Sequence, residues 1–173
     1  MKVSFLNRNN LFAKGILLAL FLLVIPVAAF AIPQKGQPAP PFKVTTTSGQ
    51  QLTLASYKGN VLILDFFASW CQPCKRSIPH MIDLNRKYGK QGLQILGLSL
   101  DEDKDDLVDF ITPMKFNYPA ALANEDLQIE YGLRSIPTFF IIDKKGIIVE
   151  KYMGLTDEVK KNVEITIKRL LAE

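Results

Sequence analysis

The chain reads as an α/β fold, a central mixed β-sheet flanked by helices. Three observations predict it. Val61-Leu62-Ile63-Leu64-Asp65-Phe66-Phe67 is an apolar run broken only by Asp65, the pattern of a strand covered on both faces. Strand-like and helix-like segments alternate after that run. The sequence then closes with a hairpin pattern and an amphipathic helix, which implies helices on both faces of the sheet.

The elements follow in order. Residues 1–31 hold Lys2, Arg8 and Lys14 with no acid, then an apolar run from Gly15 ending in the small-x-small sequence Ala29-Phe30-Ala31. This is the pattern of a secretory signal peptide. The run also reaches the lower limit of a bilayer span, so the segment is either a cleaved signal or a membrane anchor. Both place the remainder outside the cytoplasm. Residues 32–41 hold four of the ten prolines and are expected to form an extended tether over the domain surface.

Residues 42–173 then make one domain, long enough to bury a core without covalent staples. Phe42-Lys43-Val44 and Leu52-Thr53-Leu54 alternate around Ser48-Gly49 as an N-terminal β-hairpin. Tyr57–Asn60 turns into the central strand Val61–Phe67. Cys71 to Tyr88 is a helix, with Met81, Leu84 and Tyr88 at helical spacing and Gly89 past its end. Leu93–Leu100 is the next strand, and a helix over Asp101–Ile111 starts with an acidic turn that suits its dipole. A βα pair follows: a short strand at Ala120–Leu122 and a short helix at Glu125–Tyr131, stopped by Gly132. Thr138–Ile142 and Ile147–Tyr152 flank Asp143-Lys144-Lys145-Gly146 as a second hairpin. Thr156 caps the last helix, with Val159, Val163, Ile167 and Leu170 on its inner side.

Composition excludes some functions. The 21 Lys and Arg outnumber the 17 Asp and Glu, but three of the basic residues belong to the N-terminal segment. The domain itself is nearly neutral and carries no basic stripe to grip a nucleic acid. No metal-ligand spacing and no cofactor motif is present.

Both cysteines lie in Trp70-Cys71-Gln72-Pro73-Cys74. A strand that breaks at Ala68-Ser69-Trp70 and resumes as a helix puts Cys71 near the helix N-terminus, where unpaired N–H groups favour a thiolate. Cys71 and Cys74, three apart, share a helix face and can join and part with little backbone motion. This is a redox pair, with Cys71 as the nucleophile and Cys74 as the resolving thiol. Lowering a thiol pKa from about 8.5 to about 7 takes about 2 kcal/mol. A helix terminus supplies at most about that, so other donors must share the task. An inert clip across so short a loop stabilises little.

Other residues near the motif carry two readings each. Asp65, inside the apolar run, is raised in pKa by desolvation and is a candidate proton acceptor for Cys74; the alternative is a hydrated carboxylate at a sheet end. Trp70 offers a flat apolar wall beside Cys71 or is a half-buried packing residue. Lys75 and Arg76 add positive potential near Cys71 or form a solvated face. Pro79 lies inside the helix and is expected to kink it. His80, the one histidine, falls on the opposite side of the helix from Cys71 and reads as a surface residue.

Asp65 to Lys75, Pro79 and Ser135-Ile136-Pro137-Thr138, set in this order of elements, resemble the thioredoxin fold. The N-terminal segment, Pro38-Ala39-Pro40-Pro41-Phe42 and the insertion between Leu98 and Leu133 resemble TlpA/ResA-type extracytoplasmic thiol-disulfide oxidoreductases, over residues 36–173. The resemblance implies a buried aspartate at Asp65 and a cis Ile136-Pro137 peptide facing the cysteines. It further implies a substrate surface of Trp70, Gln72, Pro73, Ile136 and Pro137. Expected partners are client proteins with disulfides and a membrane-bound electron donor. Ile136 and Asp65 resemble reducing thioredoxins. Two positions depart from the ResA-like proteins that serve cytochrome c maturation: Ser77 stands in place of a glutamate, and Gln72 in place of an acid. Both changes argue against a dedicated apocytochrome reductase.

Two rival functions use the same residues. A Cu(I) metallochaperone would hold the soft ion between Cys71 and Cys74, with Met81 or Met114 as soft neighbours. A thiol peroxidase shares the fold, but its nucleophile typically follows a Thr three residues earlier, where this chain has Ala68.

Overall fold

The computed structural model describes residues 32–173; the expected signal or anchor, 1–31, lies outside the described residues. A five-stranded sheet holds the domain together, in the order β5-β4-β3-β6-β7. Its strands are β3 (Val61–Phe67), β4 (Leu93–Ser99), β5 (Ala120–Leu122), β6 (Thr138–Ile142) and β7 (Ile148–Met153). β3, β4 and β5 run parallel, while β6 is antiparallel to both β3 and β7. The continuous apolar run thus becomes the central strand, every residue of it buried. A separate hairpin, β1 (Lys43–Thr45) and β2 (Gln51–Thr53), joins the sheet edge through a bridge between Thr46 and Ala121.

Alternation along β3 assigns its side chains to two faces. Leu62, Leu64 and Phe66 pack with Val44 and Leu52 of the hairpin, Tyr57, and Leu127 of the short helix α3 (Glu125–Glu130). Val61 and Ile63 face the other way, under α1 (Gln72–Tyr88) and α4 (Asp157–Ala172), which contribute Met81, Leu84, Val163 and Ile167. Phe67, on that same face, packs with Cys71, Cys74, Ile78 and Leu107 of α2 (Lys104–Met114). Asp65 falls by alternation on this second face, with the cysteines.

Several boundaries differ from the sequence reading, each for a local reason. Cys71 is the N-cap of α1 rather than a helical residue: its backbone is extended, and its sulfur accepts the Cys74 N–H. Helix α2 starts at Lys104, and Asp101 lies outside it, because the Asp101 carboxylate bonds back across the sheet end. Ile147 pairs with Pro38 instead of opening β7. The proline-rich stretch lies along the β6–β7 turn: Gly36 N–H donates to the Ile148 carbonyl (2.8 Å), Ile148 N–H to Gln37 (2.9 Å) and Ala39 N–H to Gly146 (2.9 Å).

Candidate active site

The site forms where β3 ends and α1 begins. Leu100 N–H donates to the Phe67 carbonyl, and Cys71 N–H to that of Ala68 (3.2 Å), which closes the Ala68–Cys71 turn. Pro73 sits in the first helical turn, where a missing N–H costs nothing. Cys74 N–H, one of the free donors of that turn, points at Cys71 Sγ over 3.2 Å. Such a bond favours a thiolate at Cys71. It is a donor of the kind the helix dipole needed beside it.

Cys71 and Cys74 are joined as a disulfide, with Cα atoms 5.2 Å apart. Cys74 is completely buried and Cys71 is 5% exposed. Cys71, although it stands at the helix N-terminus, is therefore nearly covered. One reason is the Ser135–Thr138 loop, whose Ile136 carbonyl lies 3.8 Å from Cys71 Sγ. The Ile136-Pro137 peptide is cis. The loop is tied down by Thr138 Oγ1, which donates to the Ser135 carbonyl (2.7 Å), and by Gly154 N–H, which donates to that of Pro137 (2.8 Å). Trp70, Gln72 and Pro73 surround this point on the outside, all exposed. Trp70 is 65% exposed, so it is not the half-buried packing residue of the alternative reading.

Asp65 is not at a hydrated sheet end. It is completely enclosed in mid-strand, paired with Gly97 on β4 and Phe139 on β6. Burial pushes its carboxyl up to about 7, against a smaller opposing pull from a hydrogen bond donated by Tyr118. A carboxyl that titrates near neutrality can take and release a proton at working pH.

Two buried partners escaped the sequence reading. Asp101 accepts hydrogen bonds from Ser69 N–H (3.1 Å), Ser69 Oγ (2.8 Å) and Ser99 Oγ, and so fixes the turn that carries Trp70 and Cys71. A Ser-x-Asp sequence at the end of a buried strand, Ser99 to Asp101, was the available signal. Tyr118 approaches Asp65 from the edge of the sheet, and no local pattern announced it.

The remaining candidates fall away from the sulfurs. Lys75 lies over the Phe110 ring, 5.9 Å from its centroid, and Arg76 is exposed. Ser77 is buried, and its hydroxyl donates to the Cys74 carbonyl (2.9 Å). Pro79 is an exposed residue inside α1. His80 is half-buried rather than a plain surface residue: its Nε2 is enclosed without a partner among the described residues, and burial and Lys160 push its pKa down. The pairing of α1 with α4 covers it. Met81 is buried with Val163 and Ile167, in a different cluster from the cysteines, and Met114 is half-buried beside the Phe110 and Phe116 side of the core.

A cysteine pair at the start of α1, crossed by a proline loop and backed by a mixed sheet of this order, defines a thiol-disulfide oxidoreductase of the thioredoxin fold. Residues 35–151 match the AhpC/TSA family, and the chain belongs to it. It is 33% identical over 138 residues to the thiol-disulfide oxidoreductase ResA of Bacillus thuringiensis, covering 79% of each protein. The structure resembles that of a chain assigned as the thiol:disulfide interchange protein DsbE of Chlorobium tepidum. The TM-score is 0.76 at 31% identity, over 80% of this chain and 99% of that one. It also resembles a chain assigned as a protein disulfide isomerase of Bacteroides thetaiotaomicron. Here the TM-score is 0.77 at 28% identity, over 82% of this chain and 92% of that one.

Proposed function

We propose that this thiol-disulfide oxidoreductase works outside the cytoplasm as a reductant of protein disulfides, with residues 1–31 as its signal or anchor and residues 32–41 as its tether. A membrane-bound donor supplies its electrons. The observation that carries the assignment of roles is the Cys74 N–H aimed at Cys71 Sγ. It favours negative charge on Cys71 and none on Cys74.

The Cys71 thiolate attacks one sulfur of a client disulfide, forming a mixed disulfide and releasing the other client sulfur as a thiolate. Cys74 loses its proton to Asp65 and attacks Cys71 Sγ. The second client thiolate leaves, and the Cys71-Cys74 disulfide remains. Two electrons have passed to the client.

Trp70 forms the apolar wall of the client surface, supported by its exposure, with Gln72 and Pro73 beside it. The backbone groups of Ile136, just ahead of Pro137, are left to pair with an extended client segment. The copper alternative gains nothing from Met81, which is locked in the core. Ala68 leaves the peroxidase alternative without its threonine.

A Cys74→Ala variant stalls the exchange on Cys71. It should accumulate mixed disulfides with extracytoplasmic proteins, visible as adducts that dithiothreitol dissolves and that Cys71→Ala never forms. Absence of adducts would remove the assignment of roles. A potential near about −270 mV fits a reductant, whereas one near about −120 mV reverses the direction of flow.

A further inference from the structure

Among the described residues, Asp65 is hydrogen-bonded by one side chain. Of the buried side chains that α1, α2 and α4 turn inward, only Cys74 and Tyr88 titrate, and the Tyr88 hydroxyl is bound to Glu164. The backbone neighbours on β4 and β6 are Gly97 and Phe139. The remaining neighbour is Tyr118, 7% exposed, whose hydroxyl donates to Asp65 Oδ2 over 3.3 Å. Asp65 Oδ1 has no hydrogen-bond partner among the described residues.

Tyr118 belongs to the segment leading into the edge strand β5, so its ring must cross β4 to reach β3. Gly97 is the place where it crosses. A Cβ at Gly97 would stand 3.3 Å from Tyr118 Cε2 and 2.9 Å from Phe67 Cε1, the second closer than real contacts allow. Glycine opposite Asp65 therefore leaves the space these two rings fill. Phe116 packs on the Tyr118 ring with centroids 4.7 Å apart and fixes it from outside. A phenol delivered through a glycine gap to one oxygen of an enclosed carboxylate is a built arrangement.

We propose that Tyr118 is a positioning residue for the resolving step: its O–H holds Asp65 Oδ2, which leaves Oδ1 as the oxygen that takes the Cys74 proton. The proposal rests on the reading of Asp65 as the proton acceptor. In the mixed disulfide, the Cys74 S–H bond breaks and an O–H bond forms at Oδ1. The Cys74 thiolate then bonds to Cys71 Sγ, the bond from Cys71 to the client sulfur breaks, and the client leaves as a thiolate. Asp65 afterwards returns its proton to water. In the disulfide state Cys74 has no proton to give, in keeping with the unpartnered Oδ1. A donor on Oδ2 favours the charged carboxylate and so opposes the effect of burial.

The test is Tyr118→Phe, which keeps the ring and removes only the hydroxyl. In the oxidised protein neither cysteine titrates, so the carboxyl carbon resonance of Asp65 reports its midpoint without coupling to a thiol. The expected midpoint rises by about one pH unit, the effect of losing one hydrogen bond to a charged group. The rising limb of the pH profile for mixed-disulfide resolution should move up by the same amount. An unchanged midpoint overturns the proposal, and so does a raised midpoint with an unmoved rate profile. Asp65→Asn then separates the two failures: resolution at the wild-type rate removes Asp65 itself from the step, whereas slow resolution removes Tyr118 alone.

Discussion

Asp65 and Asp101 are both buried carboxylates, one in the middle of β3 and the other just past the end of β4, and the fold treats them in opposite ways. Asp101 collects donors. The β3–β4 ladder ends at Phe67 and Ser99, and beyond it the Asp101 side chain serves as the next acceptor, taking the Ser69 N–H and the hydroxyls of Ser69 and Ser99. Among the described residues Asp65 has one donor, Tyr118, and one oxygen with none. Burial alone, then, does not mark a carboxylate for chemistry. A satisfied one anchors the chain, and an under-satisfied one is left able to accept a proton.

The two carboxylates should differ most in the pH dependence of stability. Asp65 has a native pKa of about 7 against an ordinary value of 3.8, so between those values the native state holds a proton that the unfolded state has lost. The Asp65 contribution to stability is therefore lost as pH rises from about 4 through about 7, and is level above. The full difference is on the order of 4 kcal/mol. Asp65→Asn should abolish that slope and be the more stable protein at pH 8, while mixed-disulfide resolution slows about 100-fold or more. Urea titrations of both proteins at pH 5 and pH 8 check the first part; parallel curves would show that Asp65 is ordinary. Glu164, held down to about 2 by Lys87 and Tyr88, acts in the opposite sense at more acidic pH, and His80, pushed below its ordinary value, opposes the slope inside this window, so it is the difference between wild type and Asp65→Asn that isolates Asp65.

Asp101→Ala should do the reverse at every pH near neutrality. It strips the acceptor from the Ser69 N–H and from two hydroxyls, at a cost of about 3 kcal/mol. The urea midpoint should fall with an unchanged m-value. A midpoint within experimental error of the wild type would mean that the turn holds itself. The smallest expected effect is at Ser77, whose hydroxyl bonds the Cys74 carbonyl inside α1. Ser77→Ala should cost about 1 kcal/mol and leave the pH profile of resolution in place. A shifted profile would make Ser77, and not only Asp65, part of the proton path.

Much of the fold was legible because its signals are local. The apolar run Val61–Phe67, the Thr156 cap and the glycine of the Asp143–Gly146 turn each act within a few residues. The cysteine pair was legible for the same reason: two residues separate its members, and the helix start lies between them. Errors came where a side chain answered to a distant partner. Asp101 looked like an acidic first turn, yet its bond to Ser69 spans 32 residues. Tyr118 drew no reading at all, and it reaches 53 residues back to Asp65. His80 looked solvent-facing because the helix α4 that covers it comes far later in the chain.

Hydrophobic period, capping and cysteine spacing are short-range properties of a chain, and the elements, their order and the sulfur chemistry follow from them. The tertiary structure alone decided how far Cys71 is covered, which carboxylate is satisfied and which is left short of donors. Those depend on which groups meet across the sheet. Desolvation and hydrogen bonding are set by neighbours in space, and the glycine gap at Gly97 that admits the Tyr118 and Phe67 rings has no meaning until β3, β4 and β5 lie side by side.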